Sequence, residues 1–97
     1  MPRRFCRLLA GIECFTVPGV GWAGVKNGDL LARASIEYDA LVTVDRNLFF
    51  QSNVSQYPIV VVVLRARENT LDALAPFSDR VIVALTNGEK GHVYFIE

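Results

Sequence analysis

Several features that mark common protein classes are scarce in this sequence of 97 residues. Its ten basic and ten acidic residues cancel, so overall charge does not favour a nucleic acid or a membrane as partner. The longest apolar run, IVVVVL at 59–64, is far too short to span a bilayer. The start, MPRRFCRLLAGIE, has the positive charge of a signal peptide, but Arg7 and Glu13 interrupt its apolar part. We therefore expect a soluble, cytoplasmic protein.

Residues that usually carry redox, metal or nucleophilic chemistry are also few. Cys6 and Cys14 are the only cysteines, and two thiols in a chain of this size fit neither a disulfide scaffold nor a zinc site. We expect buried free thiols in a reducing cytosol. His92 is the only histidine and has no cysteine or aspartate close in sequence, which favours a surface or packing role. The glycines of GVGWAG do not meet the G-x-G-x-x-G spacing of a phosphate-binding loop.

What the chain has in abundance is apolar sequence. Apolar residues make up 52% and charged residues 21%, which is typical of a packed globular protein. Its length suits one domain, 1–97, with a modest core.

Helix and strand patterns alternate along the chain. The strand patterns at 40–44 and 59–64 do not alternate polar with apolar residues, so we expect both faces of these strands to be covered. Strands that alternate with helices and are buried on both faces predict an α/β fold with three layers and a mostly parallel sheet. The predicted helices are 2–10, 27–38 and 70–87, the last bent near Pro76, with a short helical turn and a loop within 45–58. The predicted strands are 12–17, 40–44, 59–64 and 92–97.

Two acidic residues are predicted at the edge of the sheet where parallel strands end. Asp45 follows a strand, and Asp29 lies in the first turn of the second helix. Carboxylate oxygens are ligands for Mg²⁺ or Mn²⁺, and a bound cation activates water and neutralises a phosphodiester transition state. The structural alternative is that Asp45 caps the turn beginning at Asn47 and that Asp29 complements the helix dipole. The basic residues predicted near this edge are Lys26, Arg46, Arg65 and Arg67.

Four motifs, in order along the chain, resemble one branch of the PIN-like proteins. They are PRRF, TVPGVGWAGVKNGDLL, VTVDRNLFFQ and PIVVVVLRARENTLDAL. They are similar to the DUF5615 group, which is related to toxin nucleases and to the Mut7-C type. The resemblance implies a PIN-like fold and a metal-dependent ribonuclease, often the toxin of a toxin–antitoxin pair. It matches Asp45 to a metal-binding carboxylate and, more loosely, Asp29 to a second acidic position.

The sequence departs from this family pattern in two places. Family members open with a strand that ends in a metal-binding aspartate, whereas this chain begins where that pattern finishes, so we expect a domain that is short at its N-terminus. Many relatives also carry an acid where this chain has Asn47. An amide offers a carbonyl oxygen without charge, so we expect Asn47 as an auxiliary ligand and weak binding of Mg²⁺ or Mn²⁺.

Two functions of different classes follow. The first is a PIN-like ribonuclease of the toxin type, weakened or inactive, with Asp45 and Asp29 as catalytic metal ligands and Arg46, Arg65, Arg67 and Lys26 contacting the RNA. The second is a catalytically silent binding module that acts through an antitoxin-like protein partner. Because a missing first strand leaves a sheet edge unpaired, we also expect a homodimer or higher oligomer.

Overall fold

Helices and short strands alternate along the chain, as the sequence pattern predicts. The structure is a computed structural model that describes residues 4–9, 11–17, 19–22, 24–44 and 54–97. Two short 3₁₀ helices, Val54–Gln56 and Ala75–Phe77, lie between the longer elements. The helices are α1 (Phe5–Leu8), α2 (Asn27–Glu37), α3 (Leu71–Leu74) and α4 (Ser78–Asn87), and the strands are β1 (Ala40–Thr43), β2 (Val60–Leu64) and β3 (Val93–Ile96). Within these ranges no helix is long and apolar enough to cross a membrane.

The strands form a parallel sheet of three, in the order β1-β2-β3. Val62, in the middle of β2, pairs with Val42 on one side and Tyr94 on the other. Every residue of β2 is buried, whereas every residue of β1 is only partly buried. The α/β class and the parallel sheet are therefore confirmed, while the three-layer PIN-like architecture stays a prediction.

The two faces of β2 pack against different helices. Val60, Val62 and Leu64 belong to a hydrophobic cluster with residues of α1, α3 and α4. Val61 and Val63 belong to a second cluster with residues of α2 and the first 3₁₀ helix. Successive side chains of a strand point to opposite faces of the sheet. An uninterrupted run of branched apolar residues therefore suits a strand that is covered on both faces, as predicted.

The helical segment near the C-terminus begins and bends where the sequence predicts. The side chain of Thr70 accepts a hydrogen bond from the backbone N–H of Ala73, which caps α3. Pro76 lies in the 3₁₀ helix that separates α3 from α4. RVIVAL is helical, and Val81 from this run is fully buried.

The prediction of a strand at 12–17 is wrong. This segment makes no ladder with any described strand, although it keeps the alternation of a strand: Ile12 and Cys14 pack against the first cluster, while Glu13 and Phe15 are exposed. β-branched and aromatic residues favour a strand only where a neighbouring strand supplies hydrogen bonds and side-chain contacts. No described strand lies beside this segment to supply them.

The prediction of free thiols is also wrong. Cys6 and Cys14 form a disulfide, with their Cα atoms 5.5 Å apart, and both residues are only partly buried. The bond joins α1 to the segment that follows Gly11, whose positive φ of 78° turns the chain back. Disulfides are typical of oxidising compartments, so this bond weighs against the reducing cytosol that the sequence led us to expect.

Reduction of this disulfide is expected to lower the free energy of unfolding by about 2–3 kcal/mol. The cysteines are eight residues apart, and loop-closure entropy predicts this amount for so short a loop. Urea unfolding with and without dithiothreitol measures it, and the variant C6S/C14S should match the reduced protein and no longer respond to dithiothreitol. Rapid labelling of both cysteines by iodoacetamide in the native, unreduced protein would contradict the pairing.

Candidate functional site

The predicted site lies where the strands end, and the structure describes part of it. Two residues connect α2 to β1, so α2 runs antiparallel to β1 and its first turn lies toward the carboxyl end of the sheet. This turn carries Asp29, and Lys26 precedes it; both are exposed. Arg65 and Arg67 follow the end of β2 and are exposed as well. The topology therefore brings one acidic and three basic residues of the prediction toward one end of the sheet.

One of these basic residues already has an anionic partner. Arg65 Nη1 donates to Glu97 Oε1, and its guanidinium lies 5.1 Å from the centre of the Phe95 ring. Arg80 donates to the main-chain oxygen of Glu97 and lies 4.9 Å from the Phe77 ring centre. An incoming phosphate must compete with Glu97 for Arg65. Arg67 and Lys26 carry no such ion pair with a described residue.

The central residues of the predicted metal site, Asp45, Arg46 and Asn47, lie outside the described residues. The expected approach of Asp45 to Asp29 therefore stays a prediction. Within the described ranges no group of three or more His, Cys, Asp and Glu side chains is placed to hold a metal ion. Asp29 is the one described carboxylate of the predicted metal site, so a metal there depends on Asp45.

A second feature, which the sequence did not reveal, is a cleft of about 990 Å³ beside β1. Its lining includes the whole of β1, Val44 directly after β1, and the segment 11–17. Phe5 and Leu9 of the first cluster contribute to the cleft, as do Leu30 and Ala34 of α2. The lining thus combines an edge strand with a segment that has strand-like alternation.

The outer edge of β1 presents backbone hydrogen-bonding groups to this cleft. The N–H of Val60 donates to the carbonyl of Asp39 at 3.0 Å, which identifies Asp39 as a residue whose backbone faces β2. Backbone groups alternate in direction along a strand in a parallel pair, so Leu41 and Thr43 also face β2, and Ala40 and Val42 face outward. No described strand pairs with this outer edge.

The described lining of the cleft carries more negative than positive charge. Its charged residues, among those that the structure describes, are Glu13, Glu37, Asp39 and Lys90. Lys90 Nζ lies 3.5 Å from Asp39 Oδ1, and Asp39 is 95% exposed. The described lining therefore holds three carboxylates and one cation, which is an excess of negative charge.

Two weaker candidates from the sequence have ordinary structural roles. Trp22 packs against the second cluster and meets Tyr38 edge-on, with ring centres 5.8 Å apart. His92 is exposed, and its Nε2 lies 3.6 Å from Glu89 Oε2. Neither residue belongs to the carboxyl end of the sheet.

Comparisons of the chain with protein-family models, with curated proteins and with solved structures find no match. The resemblance to PIN-like proteins therefore depends on the motifs themselves.

Proposed function

We propose that this protein is a PIN-like, metal-dependent ribonuclease of the toxin type, with weak metal binding. The observation that supports the proposal is topological: the first turn of α2, the end of β1 and the end of β2 all lie toward the carboxyl end of one parallel sheet. In open α/β sheets this end is where ligands bind. Asp45 follows β1 directly after Val44, so its place in the chain puts it next to this end.

The roles of the residues follow from their charge and position. Asp45 and Asp29 would hold Mg²⁺ or Mn²⁺, with the carbonyl oxygen of Asn47 as an additional ligand. The bound cation would supply an activated water and would neutralise charge on the phosphate. Lys26, Arg46 and Arg67 would bind the RNA backbone, and Arg65 would join them when phosphate displaces Glu97.

The test is incubation of the disulfide-bonded protein with end-labelled single-stranded RNA in Mn²⁺, and in parallel with excess EDTA. We expect slow cleavage that requires Mn²⁺, because about two carboxylates bind a divalent cation more weakly than the three or four of a complete site. Isothermal titration calorimetry with Mn²⁺ checks metal binding independently of turnover. Cleavage that persists in EDTA, or the absence of both cleavage and metal binding, would contradict the proposal.

A second candidate function is a silent binding module that acts through contacts with an antitoxin-like protein or with further copies of the chain. The observation that favours it is the cleft beside the outer edge of β1, together with the ion pair of Arg65 with Glu97. This candidate predicts no site-specific heat on addition of Mn²⁺ and no RNA cleavage. The same calorimetry therefore separates the two functions.

A further inference from the structure

We propose that the cleft beside β1 is a docking site for an extended segment of a partner polypeptide, which adds a strand to the outer edge of β1. The proposal deepens the second candidate function, because it names the surface and the chemistry of the partner. It is argued separately from the ribonuclease proposal, since Asp29, the described carboxylate of the predicted metal site, does not line the cleft.

Backbone hydrogen bonding is the first argument. Ala40 and Val42 direct two N–H and two C=O groups away from β2, into a cleft in which no described strand receives them. The unpaired edge of a strand is a template for another strand, and main-chain hydrogen bonds supply affinity when a peptide adds to it. An extended peptide satisfies all four groups at once, whereas a compact small molecule does not.

The shape and the polarity of the cleft are the second argument. The cleft follows β1 along its whole length, and its volume of about 990 Å³ is near the upper limit of roughly 1,000 Å³ for small-molecule pockets. It is lined by apolar residues from both hydrophobic clusters: Phe5, Leu9 and Ile12 from one, Trp22, Leu41 and Ala34 from the other. Successive side chains of an inserted strand would point alternately to these two groups, so the partner segment should be apolar at every central position.

Charge complementarity is the third argument, and it defines the ends of the segment. Among the described residues that line the cleft, Glu13, Glu37 and Asp39 are acidic and Lys90 is the one basic residue, and Lys90 is already paired with Asp39. Asp39 immediately precedes β1, and Glu37 ends α2 two residues earlier. A basic residue at the end of the peptide beside these carboxylates would therefore be favoured, and an acidic residue there would be repelled.

The geometry favours a separate peptide over a second copy of this chain. The segment 11–17 lines the cleft together with β1, so a partner strand at the outer edge of β1 also meets this segment. A single extended peptide needs less room beside this segment than a whole second copy of the chain.

The test is titration of ¹⁵N-labelled protein with a synthetic peptide of five alternating valine and leucine residues flanked by lysines. We expect the largest chemical-shift changes at Ala40 and Val42, slower hydrogen exchange of these two amides, and shifts along 12–17. A peptide with glutamates in place of the lysines is expected to bind about threefold to fivefold more weakly, as for exposed charge pairs. N-methylation of alternate amides in the lysine peptide keeps its side chains but removes the backbone N–H groups that would donate to β1. This modified peptide should not bind.

A variant of the protein provides a matched control. Val42→Pro removes an outward N–H and leaves the hydrogen bonds to β2 in place, and proline is tolerated at such edge positions. The variant should not bind the lysine peptide, while its circular dichroism spectrum should match that of the parent protein. If the variant does not fold, the N-methylated peptide still tests whether binding depends on main-chain hydrogen bonds.

Three results would overturn the proposal. They are equal binding of the parent and N-methylated peptides, no binding at millimolar peptide, and a dimer by light scattering whose dissociation exposes the amides of Ala40 and Val42. The last result would assign the cleft to a second copy. If the protein binds neither Mn²⁺ nor the peptide, the docking site is wrong, but the second candidate function stands and uses another surface. If the protein binds Mn²⁺ specifically, the second candidate function is wrong. The two failures are therefore distinguishable.

Discussion

Replacing Asp45 by alanine is expected to reduce Mn²⁺-dependent RNA cleavage by about 100-fold or more. A catalytic metal contributes several kcal/mol to stabilisation of the transition state, and each 1.36 kcal/mol corresponds to a tenfold change in rate. Asp45 is the acid in the motif that resembles the family's metal-binding block, and in the chain it comes two residues after the end of β1. Its loss leaves Asp29 as the one predicted carboxylate ligand. Asp29→Ala should have a smaller effect in the same direction, since Asp29 matches the family pattern more loosely.

The matched control is Asp39→Ala, at the other end of the same strand. Asp39 is 95% exposed and pairs with Lys90, so its removal should cost less than about 1 kcal/mol of stability. Under single-turnover conditions, the Asp45 variant should therefore lose RNA cleavage and the Asp39 variant should keep it. Survival of cleavage in Asp45→Ala would remove this residue from the site, and loss of cleavage in both variants would point to an effect on the whole sheet.

Replacing Val62 by aspartate is expected to unfold the protein. Val62 is completely buried at the centre of the middle strand, with Val42 and Tyr94 beside it in register. Burial of an unpaired carboxylate costs several kcal/mol or shifts its pKa until it is neutral, and loss of the valine contacts adds to this cost. A domain of this size has a stability of about 5–15 kcal/mol, so most of it would be lost. Circular dichroism and the dispersion of amide resonances would both report the unfolding.

Two further variants separate burial from charge. Val83→Asp places the same substitution on α4 at a position that is 58% exposed, and it should change stability by less than about 1 kcal/mol. Val62→Thr keeps the shape of the side chain and buries a hydroxyl, which should cost about 1–3 kcal/mol. A stable, folded Val62→Asp protein would show that β2 is not the core strand.

The sequence alone determined the elements whose pattern is local and repeated. A short run of five branched apolar residues favours a strand covered on both faces, and β2 is that strand. The cap at Thr70 and the break at Pro76 are likewise properties of the residues themselves, because a hydroxyl at an N-cap and a proline ring act on their own backbone. The sequence also placed Asp29 and Arg65 at the carboxyl end of the sheet. This followed from the alternation of helices and strands, because parallel strands all end on one side.

Only the tertiary structure decided the features that depend on what lies next to a segment. IECFTV has the composition of a strand, yet a strand requires a neighbour, and this segment forms no ladder with any described strand. The pairing of Cys6 with Cys14 depends on how α1 turns at Gly11, which brings their Cα atoms to 5.5 Å, a distance that cysteine spacing does not reveal. The ion pair between Arg65 and Glu97 likewise joins residues that are 32 positions apart in the chain. Local patterns specify elements because their physics acts within a few residues, whereas edges, clefts and cross-links arise from contacts between residues distant in the chain.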